Sequence, residues 1–96
     1  MNKMGDPHIG RYQSLQQFPE ADFALSRLKK VVSLVRPIMR KYGLYVHVLS
    51  EFYPARADLL GCNTECGLLV ELRLRCVERT NEYIALEQVI DTFLHE

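Results

Sequence analysis

A chain of 96 residues, 48% hydrophobic and 25% charged, has the make-up of one small globular domain, with room for a modest core and little stability to spare. Twelve Lys and Arg balance twelve Asp and Glu at a pI near 6.8, which excludes a global field drawing the chain to nucleic acid or an anionic membrane and leaves only local patches for such binding. No run approaches the roughly 20 apolar residues of a membrane span, and the polar N-terminus does not read as a signal peptide.

Residues 1–8 carry Gly5 and Pro7 among polar side chains and are expected to fray as a flexible N-terminus. From Ile9 to Leu15 the pattern alternates loosely, with Ile9, Tyr12 and Leu15 available to pack, which suits a short edge strand. A strong helix signal follows. Pro19 fits a first helical position, and Glu20 and Asp22 put negative charge in the first turn, where the macrodipole favours it. Ala24, Leu28, Val31, Val32, Val35, Ile38, Met39 and Tyr42 recur with the 3.6-residue period of one buried face. Arg40 and Lys41 have the right sign for the last turn, and Gly43 is a natural left-handed stop. Pro37 conflicts with this pattern, because it removes a backbone donor and crowds the preceding turn; a kink near Ser33 is expected. Lys29, Lys30, Arg36, Arg40 and Lys41 lie mostly off the apolar stripe, and a solvated helix face accounts for them better than contacts to phosphate.

Leu44 to Phe52 reads as a strand, apolar on both sides in its first half and therefore central, closed by Tyr53-Pro54. His47 within it reads as a packed or hydrogen-bonded residue with no assigned role. Pro54 to Leu60 is a loop containing Arg56 and Asp58. Gly61 to Glu65 reads as a short strand, followed by a turn at Cys66-Gly67. Over Leu68–Val77 the alternation is strict. Val70, Leu72, Leu74 and Cys76 point one way and Glu71, Arg73 and Arg75 the other, which predicts one buried and one wet face. Without a secretory signal, Cys62, Cys66 and Cys76 read as reduced thiols of a cytosolic or nuclear protein. Their spacing lacks the tight Cys-x-x-Cys pairs of structural zinc sites, so they are expected as small buried or half-buried side chains on strands.

Glu78 to Glu82 is a polar connection, and a final helix should begin near Ile84. At 100° per residue Leu86, Val89, Ile90, Phe93 and Leu94 share one stripe that must face the core. His95 projects almost opposite that stripe, beside Gln88 and Asp91. His95-Glu96 is also the first half of the zinc-protease motif His-Glu-x-x-His, in which two histidines one helical turn apart grip a metal.

Several consecutive blocks then resemble one family. They are Val35-Arg36-Pro37-Ile38-Met39-Arg40-Lys41, Leu49-Ser50-Glu51-Phe52-Tyr53-Pro54 and Asp58-Leu59-Leu60-Gly61. After these come Gly67, Glu71-Leu72-Arg73-Leu74-Arg75, and the stretch from Leu86 to Glu96. In this order they resemble the WLM domain of DNA-dependent zinc metalloproteases, relatives of the SprT-like (Spartan) proteases that digest DNA–protein crosslinks. The likeness runs from about His8 to the end, with residues 9–96 read as the N-terminal portion of that domain. Leu44 stands where family members usually have Trp, and Cys62-Asn63-Thr64-Glu65-Cys66 departs from the usual Asn-Val-Asn-rich hairpin.

The resemblance implies an α+β, zincin-like half domain: a long N-terminal helix packed on a small, mostly antiparallel sheet, followed by the start of the active-site helix. It implies zinc as cofactor, His95 as first metal ligand and Glu96 as catalytic base. The implied partners are DNA and DNA-bound or DNA-crosslinked proteins, with ubiquitin or SUMO and a segregase ATPase engaged through regions outside this chain. A membrane is not among them, and the expected location is nuclear or cytoplasmic.

Three readings follow. The first is a zinc metalloprotease domain cut within its motif. The second is a non-catalytic truncated isoform or pseudoenzyme serving as an interaction module. The third, a nucleic-acid-binding domain in its own right, is weakened by the zero net charge. For the chain as written, one histidine and one carboxylate fall short of the three protein ligands of a catalytic zinc. Neither tight zinc binding nor proteolysis is therefore expected of it, and its fold should be marginal.

Overall fold

The 3.6-residue apolar period becomes one 22-residue helix, α1 (Ala21–Tyr42), in the computed structural model, which describes residues 7–95. Ala24, Leu28, Val31, Val32, Val35 and Met39 are buried on it. Ile38 and Tyr42 continue the same stripe yet stand 40% and 66% exposed, bordering an open apolar groove with Leu44, Tyr45 and Leu94. Gly43 ends the helix in the left-handed conformation (φ 64°, ψ 35°). Its N–H reaches the Arg40 carbonyl and the Leu44 N–H reaches that of Met39, so two otherwise orphaned carbonyls are satisfied. The start lies two residues later than expected. Glu20 is the N-cap at φ 57° without a side-chain cap, and the preceding Pro19 turns its carbonyl to Arg75 instead of opening the helix. Pro37 lies inside α1 and does not interrupt it.

Strands β1 (Ile9–Gln13), β2 (Val46–Glu51), β3 (Gly61–Thr64) and β4 (Leu69–Leu72) form a sheet in the order β1-β2-β4-β3. The edge position of β1 and the central position of β2 match the apolar patterns that predict them. The sheet is mixed, however, and not mostly antiparallel. β1–β2 and β2–β4 are parallel, and only the β3–β4 hairpin is antiparallel. The connections explain this: α1 is a long crossover from β1 to β2, the kind of link that parallel neighbours require. The hairpin turn runs through Glu65, Cys66 and Gly67, all at positive φ, with the Asn63 amide oxygen accepting from the Gly67 N–H at 2.8 Å.

The alternating segment from Leu68 to Val77 is not a single strand. β4 stops at Leu72, and β5 (Arg75–Cys76) pairs antiparallel with β6 (Arg79–Tyr83) in a separate two-stranded sheet. Most of the expected polar connection Glu78–Glu82 is thus strand. The final helix, α2 (Leu86–Leu94), packs against α1 and β4. One core joins α1 to Ile9, Val46, Leu49, Val70, Leu72 and Leu74 beneath it and to Val89 and Phe93 of α2. Cys62 and Cys76 are half-buried on strands, whereas Cys66 is exposed in the hairpin turn; all three are free thiols.

Residues 1–6 and Glu96 lie outside the described residues. Within the segment expected to fray, His8 is held: its carbonyl accepts from Val46 N–H at 2.9 Å and its Nδ1 lies 3.2 Å from the Leu44 carbonyl. No described helix is long and apolar enough to cross a membrane.

Candidate metal and catalytic site

The site residues named from the sequence fall at the end of α2. This helix buries Val89 and Phe93, half-buries Leu86 and Ile90, and leaves Leu94 46% exposed at the apolar groove. Leu94 therefore departs from the predicted core stripe, because it sits at the last helical position beside that open groove. His95 caps the helix at φ −94°, ψ −2°, exposed, with its N–H on the Thr92 carbonyl at 3.1 Å. As the helical wheel predicts, it looks away from the core, together with Gln88 and Asp91. Glu96, the expected base, lies outside the described residues.

The ring of His95 is oriented by its own helix. Nδ1 stands 3.3 Å from the Asp91 carbonyl, which can only accept, so this contact favours the tautomer with the proton on Nδ1 and a lone pair on Nε2. A metal-binding histidine is held in just this way, its second nitrogen donating to a carbonyl while the first binds.

A shallow groove of about 310 Å³ separates this face of α2 from the loop Asp58–Gly61. Arg56 and Asp58 pair on the loop surface at 2.8 Å, and the guanidinium beside it holds the Asp58 carboxyl below the ordinary carboxylate range. The groove thus carries the Asp58 carboxylate, paired with Arg56, on one wall and the Asp91 carboxylate with the His95 imidazole on the other. Its donor chemistry fits one position of a zinc shell, which takes imidazole nitrogen readily. Among the described residues no three His, Cys, Asp or Glu side chains converge. His47, which the sequence leaves without a role, is exposed on β2 with its ring edge-on to Tyr45 and is not among the residues lining this groove.

The residues that hold the groove in place differ from the sequence expectation. Arg73 and Arg75, predicted on a wet strand face, are 2% and 0% exposed. Arg73 donates to the carbonyls of Leu59 (3.1 Å), Pro54 (3.0 Å) and Arg56 (2.8 Å), and so pins the loop that forms the outer wall. Arg75 pairs with Glu51 at 2.6 Å, both side chains fully buried, and donates to the carbonyls of Pro19 and Thr80. The other Glu51 oxygen accepts from Leu15 N–H at 3.0 Å. Phe18 and Tyr83 stack on the Arg75 guanidinium, with ring centres 5.2 and 5.3 Å away. Arg27 of α1 donates to the Ile84 carbonyl, anchoring the entry to α2. The only signal in the sequence was two arginines and a glutamate on otherwise apolar strands, a pattern that a solvated face produces equally well.

The family model of the WLM domain matches residues 7–96. The DNA-dependent metalloprotease WSS1 of Saccharomyces cerevisiae is 35% identical over 91 residues, spanning 95% of this chain and 34% of that protein. The DNA-dependent metalloprotease WSS1 homolog of Schizosaccharomyces pombe is 35% identical over 75 residues, spanning 78% of this chain and 28% of that protein. The chain thus spans about a third of the length of these curated relatives or less. The crystal structure of S. cerevisiae Wss1 superposes with a TM-score of 0.91 at 36% identity, over 94% of this chain and 70% of that one. That of S. pombe Wss1 gives 0.79 at 30% identity, over 93% and 72%. Fold and sequence agree along nearly the whole chain, which belongs to the WLM domain family.

Proposed function

We propose that this chain is the part of a DNA-dependent zinc metallopeptidase domain that contributes the first metal ligand and the general base, acting on proteins held on or crosslinked to DNA. The observation that supports it most directly is the placement of His95: turned from the core, facing a groove, with Nδ1 tied to the Asp91 carbonyl and Nε2 without a partner among the described residues. The S. cerevisiae and S. pombe relatives are both named as DNA-dependent metalloproteases.

In the proposed mechanism His95 would hold zinc through Nε2. Bound there, zinc would supply a Lewis acid that acidifies water and polarises a peptide carbonyl. Glu96 takes the proton from the attacking water and returns it to the leaving amine. The Asp58–Gly61 loop forms the wall against which a substrate strand would lie. The further ligands of a three-residue shell are not among the described residues. The proposed setting is the nucleus or cytoplasm, and contacts to ubiquitin-like modifiers or a segregase ATPase are proposed to lie outside these 96 residues.

Two experiments test this. A chimera continuing from Glu96 with the residues that follow the corresponding His-Glu in the S. cerevisiae relative is expected to bind one zinc and to cleave a DNA-bound protein. His95→Ala in that chimera should abolish both. An intact zinc stoichiometry and full proteolysis in His95→Ala would rule the assignment out. The 96 residues alone are expected to show neither stoichiometric zinc with submicromolar affinity in calorimetry nor cleavage. If the chimera folds but stays inert, the alternative of a non-catalytic interaction module takes precedence.

A further inference from the structure

The zero net charge conceals a division along the chain. Residues 1–50 hold eight Lys and Arg against three Asp and Glu, and residues 51–96 hold four against nine. No acidic residue occurs between Phe23 and Ser50. The four basic residues of the second half are all occupied: Arg73 and Arg75 are buried in the scaffold, while Arg56 and Arg79 pair with Asp58 and Glu82. The unneutralised positive surface is therefore concentrated on α1.

There Lys29, Lys30, Arg40 and Lys41 are exposed, with no carboxylate partner among the described residues. Eleven residues separate Lys29 from Arg40 and Lys30 from Lys41, three helical turns plus about 20°, so the two basic pairs lie on one face about 16 Å apart. Ser33 and Pro37 lie between them. Arg40 and Lys41 are explained in part by the negative end of the helix dipole. Lys29 and Lys30 sit mid-helix, where the dipole gives them no such role. Lys29 reaches across to β1, its ammonium 5.7 Å from the centre of the Tyr12 ring. Asp22, the one acidic residue of α1, lies about two turns before Lys29.

We propose that the solvent face of α1, through Lys29, Lys30, Arg40 and Lys41, is the surface on which this domain holds the phosphodiester backbone of DNA. This rests on the functional reading above and adds to it a site for the nucleic acid. Two basic pairs on one helix face, with Ser33, Pro37 and the exposed Leu34 between them, match a linear polyanion, and phosphate neutralisation needs no sequence-specific contact. A membrane-surface helix would instead lay an apolar face into the bilayer, and on α1 the stripe of Ala24, Leu28, Val31, Val32, Val35 and Met39 is already buried in the core. α1 and α2 pack against one another on the sheet, so DNA held on α1 keeps an attached protein beside the helix that carries His95.

The test is fluorescence anisotropy of a short labelled DNA with the 96-residue chain, across about 50 to 200 mM salt. Replacing all four residues by Gln should flatten the slope of log affinity against log salt by about 3 to 4 and weaken binding at least about 100-fold at 0.1 M salt. The half variants Lys29→Gln with Lys30→Gln and Arg40→Gln with Lys41→Gln should each flatten it by about 2, which keeps the test open if the quadruple variant does not fold. Circular dichroism checks that each is folded, and Arg56→Gln with Arg79→Gln serves as the control, expected to change affinity less than about twofold because its phosphate contacts are nil. Binding unaffected by the α1 variants overturns this surface while leaving the DNA-dependent reading intact. Failure of the unaltered chain to bind DNA at low salt overturns both. Preference for phosphatidylserine vesicles over DNA overturns it in favour of a lipid surface.

Discussion

Two regions of this domain are built around charged or titratable side chains, and they differ in one respect. In the Glu51–Arg75 cluster the charges are fully buried, paired at 2.6 Å and tied to the carbonyls of Pro19 and Thr80. In the groove of α2, His95 is exposed and one of its nitrogens is uncommitted. A buried charge whose partners are fixed serves the scaffold, because any movement would leave it desolvated and alone. An exposed, oriented group with spare valence is available for chemistry. Arg73 connects the two regions, since it is buried like the first and shapes the wall of the second.

The sharpest way to break this contrast is Glu51→Ala. It leaves the Arg75 guanidinium buried without its counter-charge and should cost about 3 to 5 kcal/mol, most of the stability of a small domain at roughly 5 kcal/mol. Urea unfolding followed by circular dichroism is expected to show little or no cooperative transition. A near-normal midpoint would mean that the cluster does not hold the scaffold together. Arg73→Ala comes next, at about 2 to 3 kcal/mol from lost charged hydrogen bonds. Its signature is local: amide exchange in the segment 54–60 should accelerate more than exchange in β2.

Gly43→Ala probes neither region but the stop at the end of α1. An alanine forced to φ 64° should cost about 1 kcal/mol, read as a drop of several degrees in Tm. The smallest effect belongs to the functional end. His95→Ala is expected to change stability by no more than about 0.5 kcal/mol, the range of surface substitutions. A loss as large as that of Arg73→Ala would show His95 to be a structural residue and remove the distinction between the two regions.

Much of this was legible before any coordinates. The apolar period from Ala24 to Met39, the glycine stop, the central place of β2 and the orientation of His95 all follow from side-chain periodicity, which depends only on local backbone geometry. The blocks around Pro37, Glu51, Arg73 and the last helix identified the family that the comparisons establish. Local pattern and structure diverge where distant segments meet. Leu68–Val77 alternates as a half-wet strand should, yet its charged face is covered by the loop after β1 and the loop after β2. Ile38, Tyr42 and Leu94 carry the core pattern and stay exposed, because nothing among the described residues closes over the groove they border.

The amino-acid order by itself therefore determined the helices, their buried stripes, the face on which His95 stands and the family. These are set within one or two turns of chain by the 3.6-residue repeat, the left-handed tolerance of Gly43 and the residue blocks themselves. Only the tertiary structure decided that β1, β2 and β4 run parallel, that Glu51 and Arg75 meet across 24 residues inside the core, and that Arg73 fastens the groove wall. Pairing direction and the burial of a charge depend on what long connections bring together, and no local pattern carries that information.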